Sequence, residues 1–246
     1  MRNLKITISY NGTAYHGWQR QPNNITVQEV VESALHRVLG EPAAANGCSR
    51  TDAGVHARQF VFTTNINNPV PCPGLAKALN GLLPRDIAVL GCEEVPPDFH
   101  ARFSAKGKEY VYVVDTSPTR NVFSADLALH YPHPLDENRL NSTAELFVGK
   151  HDFAAFCKAE AKEHLATTVR TVRSFTVTRE NNMVLFTVSG DGFLHNMVRI
   201  MVGTLIYVNE NKRTEDDILR SLSTGERSSA GVTIPPHGLY LNKVFY

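Results

Sequence analysis

Three segments combine residue types and spacings that could carry out chemistry. The densest is Arg50-Thr51-Asp52-Ala53-Gly54-Val55-His56-Ala57. Ala53 and Gly54 let the backbone turn sharply, so Asp52 can project from a fixed loop as a carboxylate nucleophile or base. The same run also fits a surface turn in which Asp52 bonds its own backbone. Asp52 and His56 are four apart, a spacing open to a metal, but neither a helical stretch nor a third nearby ligand accompanies them, so no metal is expected. The second segment is Ser189-Gly190-Asp191-Gly192-Phe193-Leu194-His195-Asn196-Met197-Val198-Arg199. It reads as a strand end, a Gly-flanked turn and the start of an apolar helix, whose unbonded amides could meet a phosphate. An arginine on such a buried helix stays charged and needs an anion, either any nearby carboxylate or, more pointedly, Asp52. The third segment runs from Phe99 to Tyr112 and interleaves His100, Arg102, Lys106 and Lys108 with Phe103, Tyr110 and Tyr112. Cations beside aromatic rings suit RNA, whose phosphates and unstacked bases they match; a plain edge strand with solvated lysines has the same composition.

The elements that must hold these segments follow from periodicity. Leu4, Ile6, Ile8 and Tyr10 alternate with polar residues and predict a strand ending at Asn11-Gly12. Thr26 with Glu29 forms a capping-box pattern ahead of a helix through Val38, stopped by Gly40. A short segment through Cys48 leads to the Asp52 loop. Strands are then expected at 59–64 and 87–95, with a helix over 73–80 between them. The order strand, helix, strand, strand, helix, strand recurs with larger insertions. It comprises a strand at 108–114, a helix over 135–148, a hairpin at 169–178 and 183–189 around Asn181-Asn182, a long apolar helix over 192–208, a short helix over 214–222 with Asp217 at its capping-box position, and a last strand at 239–246. An α+β protein of two similar β-α-β-β-α-β halves is expected, with antiparallel sheets, divided into 1–104 and 105–246, and a catalytic cleft between the halves.

The bulk composition excludes several classes. Over 246 residues, 25 Lys and Arg stand against 24 Asp and Glu, a net charge of +1. A histone-like basic tail and an acidic disordered chain are both ruled out, whereas a compact enzyme with its cations gathered in one cleft is not. The four cysteines form no CxxC pair, so zinc and redox spacings are absent and buried, reduced thiols are expected. Met1 to Lys5 begins no apolar stretch, and no apolar run approaches the roughly 18 residues of a membrane span. A soluble, cytoplasmic protein is expected.

Taken together the three segments resemble the tRNA pseudouridine synthase A family. Cys48-Ser49-Arg50-Thr51-Asp52-Ala53-Gly54-Val55-His56-Ala57 is similar to its catalytic loop, with Asp52 at the nucleophile position. Phe99 through Tyr112 is similar to the motif around its active-site tyrosine, which falls on Tyr110. Gly192-Phe193-Leu194 through Met197-Val198-Arg199, then Val202-Gly203, is similar to its third motif, whose arginine pairs with the aspartate. Further matches are Tyr10-Asn11-Gly12-Thr13, Gly17-Trp18-Gln19, Asn80 with Leu83-Pro84, His151-Asp152-Phe153 and Gly238-Leu239, in order along the whole chain. One departure is Ile234 before Pro235, where the family more often has alanine.

The resemblance implies isomerisation of uridine to pseudouridine at positions 38, 39 and 40 of the tRNA anticodon stem-loop by a homodimer. That reaction exchanges no electrons overall and loses no group, so no cofactor and no catalytic metal are expected. Asp52, Tyr110 and Arg199 are the expected catalytic residues. Tyr110, Arg50, His56, Arg58, Arg102 and Lys106 are the expected contacts to RNA, with Arg50 entering the space of a flipped base. Two rivals are a non-catalytic RNA-binding α+β protein, which has no need of Asp52 with Arg199, and a metal-dependent hydrolase liganded by Asp52 and His56.

Overall fold

The computed structural model describes residues 1–162 and 165–246, which form two compact units. One comprises Met1–Lys106 with Tyr240–Tyr246, the other Gly107–Leu239. Tyr240 to Tyr246, which the sequence groups with the second half, thus lies with the first.

Alternation builds the first unit. In β1 (Arg2–Tyr10), Leu4, Ile6 and Ile8 are fully buried while Lys5, Thr7 and Ser9 are partly exposed. This strand pairs antiparallel with β3 (His56–Ile66) on one side and β4 (Ile87–Val95) on the other, Ile6 facing Phe62 and Cys92. The two-residue β2 (Asn46–Gly47) also pairs with β3, and β10 (Leu239–Phe245) joins it in parallel, Tyr240 opposite His56 and Leu241 opposite Ala57. Helix α1 (Val27–Leu39) starts where the Thr26 hydroxyl accepts the Glu29 amide at 3.4 Å, and it stops at Gly40, whose φ of 75° is left-handed. Only half of the expected capping box forms, because the Glu29 carboxylate lies 3.6 Å from Arg20. Helix α2 (Cys72–Leu82) buries Leu75 and Leu79. Its Asn80 side chain bonds both the N–H and the C=O of Val89, at 2.7 and 2.9 Å, and so joins helix to strand.

The second unit is a three-strand meander with its earliest long strand laid beside the last strand of the meander. Its strands β5 (Gly107–Asp115), β9 (Met183–Gly190), β8 (Val169–Glu180) and β7 (Gly149–Asp152) pair antiparallel in that order, and β6 (Leu129–His130) adds to β5 in parallel. The β8–β9 hairpin closes on Asn181-Asn182, with Asn181 left-handed at φ 55°. Helix α3 (Glu137–Ala144) is shorter than its periodicity predicts. Asp136 caps it through the Arg139 amide, and the last turn tightens to a 3₁₀ turn at Glu145–Phe147. A single turn, α4 (Ala159–Lys162), follows. Helix α6 (Glu215–Thr224) carries the full Thr214–Asp217 capping box. Helix α5 (Met197–Asn209) is buried nearly all round, as its apolar sequence requires. It begins at Met197 instead of Gly192, because Asn196 takes a left-handed φ of 65° and the Met197 amide bonds back to the Leu194 carbonyl at 3.0 Å. Arg199 therefore sits in the first turn of the helix.

No helix among the described residues is long and apolar enough to cross a membrane.

Candidate active site

Asp52 lies half-buried in the loop between β2 and β3. The loop is braced by the chain that follows β1. The Trp18 amide bonds the Thr51 carbonyl at 3.3 Å, and the Gly54 amide bonds the Tyr15 carbonyl at 3.2 Å. The buried Thr51 hydroxyl pairs with the Tyr10 hydroxyl at 2.9 Å, and the Val55 amide closes the turn on the Asp52 carbonyl at 3.1 Å. Two glycines make this approach close. A Cβ on Gly12 would stand 2.0 Å from the Val55 carbonyl oxygen, and one on Gly17, whose φ is +81°, 2.1 Å from that of Thr51. Trp18 anchors the brace by stacking on Phe60 of β3, ring centroids 4.1 Å apart. Asp52 is thus presented by a backbone tied on three sides, which is what a carboxylate needs to act at one defined point.

His56, expected among the RNA contacts, is 1% exposed and is engaged by its own unit. Its Nδ1 accepts the Gly12 amide at 2.9 Å, and its ring stacks on Tyr240 at 4.7 Å. So enclosed, the ring braces the loop within its own unit. Nδ1 cannot hold a metal while it accepts that bond. Among the described residues, no three His, Cys, Asp or Glu side chains gather as a metal group. The exposed Arg58 places its guanidinium 5.1 Å from the centroid of the same Tyr240 ring and bonds Asn242 at 3.3 Å. Burial pushes the Tyr240 phenol up to about 12, with Arg58 opposing, so its hydroxyl stays protonated. Arg50 is exposed on the loop two residues before Asp52. Arg102 and Lys106 are exposed as well, beyond β4, and Lys108 of β5 is half-buried.

In the second unit Tyr110 projects from β5, opposite Val188, and is 6% exposed. Phe193, in the turn ahead of α5, packs its ring edge-on against it at 5.2 Å. Two residues along the strand on the same face, Tyr112 donates its hydroxyl to the Pro235 carbonyl at 2.7 Å. Burial raises the Tyr112 pKa, and the Arg199 charge opposes the rise. Arg199 is half-buried and held in plane by two bonds: Nε donates to the Ile234 carbonyl at 2.7 Å, and Nη1 to Asn196 Oδ1 at 2.8 Å. The segment Ile234-Pro235 is therefore a common anchor for Tyr112 and Arg199. It grips the arginine through a backbone oxygen, so the unusual Ile234 leaves that bond intact.

Sequence reasoning left several of these positioning residues without a role. Gly12, Gly17 and Trp18 were legible only as parts of a resemblance, and Asn196 carried no signal beyond its tolerance of left-handed backbone.

The chain belongs to the tRNA pseudouridine synthase family, whose sequence pattern it matches over residues 6–104 and 143–246. It is 43% identical over 247 residues to the tRNA pseudouridine synthase A of Ruminiclostridium cellulolyticum, covering all of both chains. It is 42% identical over 246 residues to that of Thermoanaerobacter sp., again over all of both. Among solved structures, an archaeal box H/ACA sRNP Nop10-Cbf5 complex aligns with 83% of this chain and 42% of that one, at 13% identity and a TM-score of 0.37, too low to bear on the fold.

Proposed function

We propose that this protein isomerises uridine to pseudouridine in tRNA, at positions 38, 39 and 40 of the anticodon stem-loop, with Asp52 as nucleophile, Arg199 as its ionic partner and Tyr110 as the residue that stacks on the uracil. The observation that carries the reading is the rigid presentation of Asp52 by the Gly12–Trp18 brace, in a chain of this family. The reaction breaks the bond from the sugar C1′ to N1 of uracil, turns the base, and joins C1′ to C5. The C5 proton is lost and N1 gains one, so electrons balance with no redox partner. A carboxylate is suited to stabilise or trap the sugar when the base departs.

Each neighbour has a physical task. Arg199 keeps Asp52 ionised where a desolvated carboxylate without a cation would take up a proton. Its anchors on Ile234 and Asn196 fix the guanidinium plane, which limits what geometry it offers an anion. The Tyr110 ring, steadied by Phe193, supplies the stacking face. A stem uridine is paired and stacked, so it is first flipped out at a cost of a few kcal/mol, with Arg50 entering the vacated space. Arg58, Arg102 and Lys106 meet phosphates. The working enzyme is a homodimer in the cytoplasm, where its tRNA is.

Tritium release from tRNA labelled at C5 of uridine tests this reading. The expected result is stoichiometric release that EDTA does not prevent, with pseudouridine at the three positions. Binding of tRNA without release would make the chain a non-catalytic RNA-binding protein, and release abolished by chelation would make it a metal enzyme. Sedimentation of the free protein tests the dimer.

A further inference from the structure

Cys72 and Cys92 stand 20 positions apart in the sequence and form no CxxC pattern, yet the first unit brings their thiols together. Cys72 opens α2 between Pro71 and Pro73, and Cys92 lies on β4, the strand on which α2 packs. A bulge in β4 sets the meeting. Ile8 faces Val89, Thr7 faces Gly91 and Ile6 faces Cys92, so Leu90 is an extra residue in the strand. In a regular strand, residues three apart point to opposite faces. The extra residue instead lets Val89 and Cys92 both oppose the fully buried Ile8 and Ile6.

Two ties hold helix and strand in this register. At one end Arg2 donates to the Val70 carbonyl at 2.8 Å and to the Glu94 carboxylate at 3.0 Å, each partner two residues from a cysteine. At the other end the Asn80 side chain bonds the Val89 backbone at 2.7 and 2.9 Å. The cysteines lie between the ties. Burial pushes the Cys92 thiol up to about 12, and the neighbouring Cys72 thiol adds to the rise by hydrogen bonding and by charge. Access also separates this pair from the other two cysteines. Cys48 and Cys157 are buried, whereas Cys72 and Cys92 are only partly so, within reach of a small reagent.

We infer that Cys72 and Cys92 are a redox modification site, forming a reversible disulfide that staples α2 to β4. The oxidant is a low-molecular-weight disulfide. One cysteine thiolate attacks it, giving a mixed disulfide and one released thiol. The second cysteine then attacks the mixed disulfide at the protein sulfur and releases the other thiol. The oxidant's S–S bond breaks and the Cys72–Cys92 bond forms, while the two electrons and two protons given up by the cysteines leave on the released thiols. Held side by side, the second thiol acts at high effective concentration, which favours the internal bond over a lasting mixed one. The inference stands apart from the tRNA reading, because neither cysteine enters that chemistry.

Full-length protein equilibrated in buffers of reduced and oxidised glutathione tests this, with acid quenching, alkylation in denaturant and mass mapping of peptides. The reduced protein should show all four cysteines alkylated. The oxidised protein should show only Cys48 and Cys157 alkylated, with the Cys72 and Cys92 peptides linked and the link reversed by dithiothreitol. Closing this loop should raise the melting temperature by about 4–16 °C over the reduced protein, a rise absent from Cys72→Ser and Cys92→Ser. Four alkylated cysteines at every glutathione ratio overturn the pair. So does a lasting glutathione adduct on Cys72 or Cys92, or a link to another cysteine or to a second copy of the chain. A linked product that melts with the reduced protein overturns the staple. The wild-type protein carries the mapping, so the result stands whether or not a serine variant folds.

Discussion

Asp52→Asn is the substitution on which the chemistry turns. It conserves size and removes charge and nucleophilicity, so pseudouridine formation should fall to below about one part in 10³ of wild type. Folding and tRNA binding persist, because phosphate contacts and stacking supply the affinity. Primer stops after carbodiimide treatment of the tRNA read the outcome, and an Asn variant with substantial activity removes Asp52 from the mechanism. Tyr110 separates ring from hydroxyl. If it is only a stacking face, Tyr110→Phe keeps single-turnover activity and Tyr110→Ala loses it. Equal loss in both assigns a task to the hydroxyl. Arg199→Ala should lower stability as well as rate, by about 1–3 kcal/mol in urea denaturation, since it leaves the Ile234 carbonyl and the Asn196 side chain without their donor.

At the scale of elements, the brace ahead of α1 and the anchor ahead of β10 hold the two sets of residues in place. Gly17→Ala tests the brace. At its φ of +81° a side chain is strained, and a Cβ there would stand 2.1 Å from the Thr51 carbonyl oxygen. A loss of about 2–5 kcal/mol is expected, combining left-handed strain with local overpacking. Isomerase rate at a temperature where the variant is still folded should fall too, because the strain is relieved by moving the Asp52 loop. The anchor has a pH signature. His237, in the 3₁₀ turn just before β10, has its pKa lowered, mainly by burial, with Arg199 adding to the shift and Asp126 opposing it. A histidine lowered on folding binds fewer protons in the folded than in the unfolded state, so stability falls as pH drops below the unfolded value of about 6.5. The melting temperature should therefore decline between roughly pH 7 and 5.5, and His237→Gln should flatten that part of the curve. An unchanged slope in the variant assigns the decline to other groups.

Across the whole molecule, a net charge of +1 coexists with the exposed cations Arg50, Arg58, Arg102 and Lys106 in the first unit. Binding to RNA depends on such local placement and not on the sum of charges. Four phosphate contacts predict about a 100-fold loss of affinity when monovalent salt rises from roughly 50 to 200 mM. Fluorescence titration at several salt concentrations gives the slope directly. A slope near zero would show that these four side chains do not meet phosphates.

Much of the element order was legible because it is set by short-range physics. The alternation of β1, the Thr26 and Asp217 caps, the Gly40 stop and the Asn181-Asn182 hairpin each depend on residues within a few positions of one another. Asp52, Tyr110 and Arg199 were legible as candidates because side-chain type and neighbouring motif mark them, independently of where the chain goes. What required the tertiary structure is whatever depends on contact between distant segments. Gly12 and Gly17 matter because the backbone of residues 51–55 passes within reach of a Cβ, which no local pattern announces. His56 becomes a brace through its stacking on Tyr240, 184 positions away. The start of α5 was misplaced because the apolar pattern extends back to Phe193 and Leu194, whereas the left-handed Asn196 holds the helix off until Met197 and hands Arg199 its anchor. Phe103 is ordinary in composition, and only a folded surface decides that its ring is left facing water.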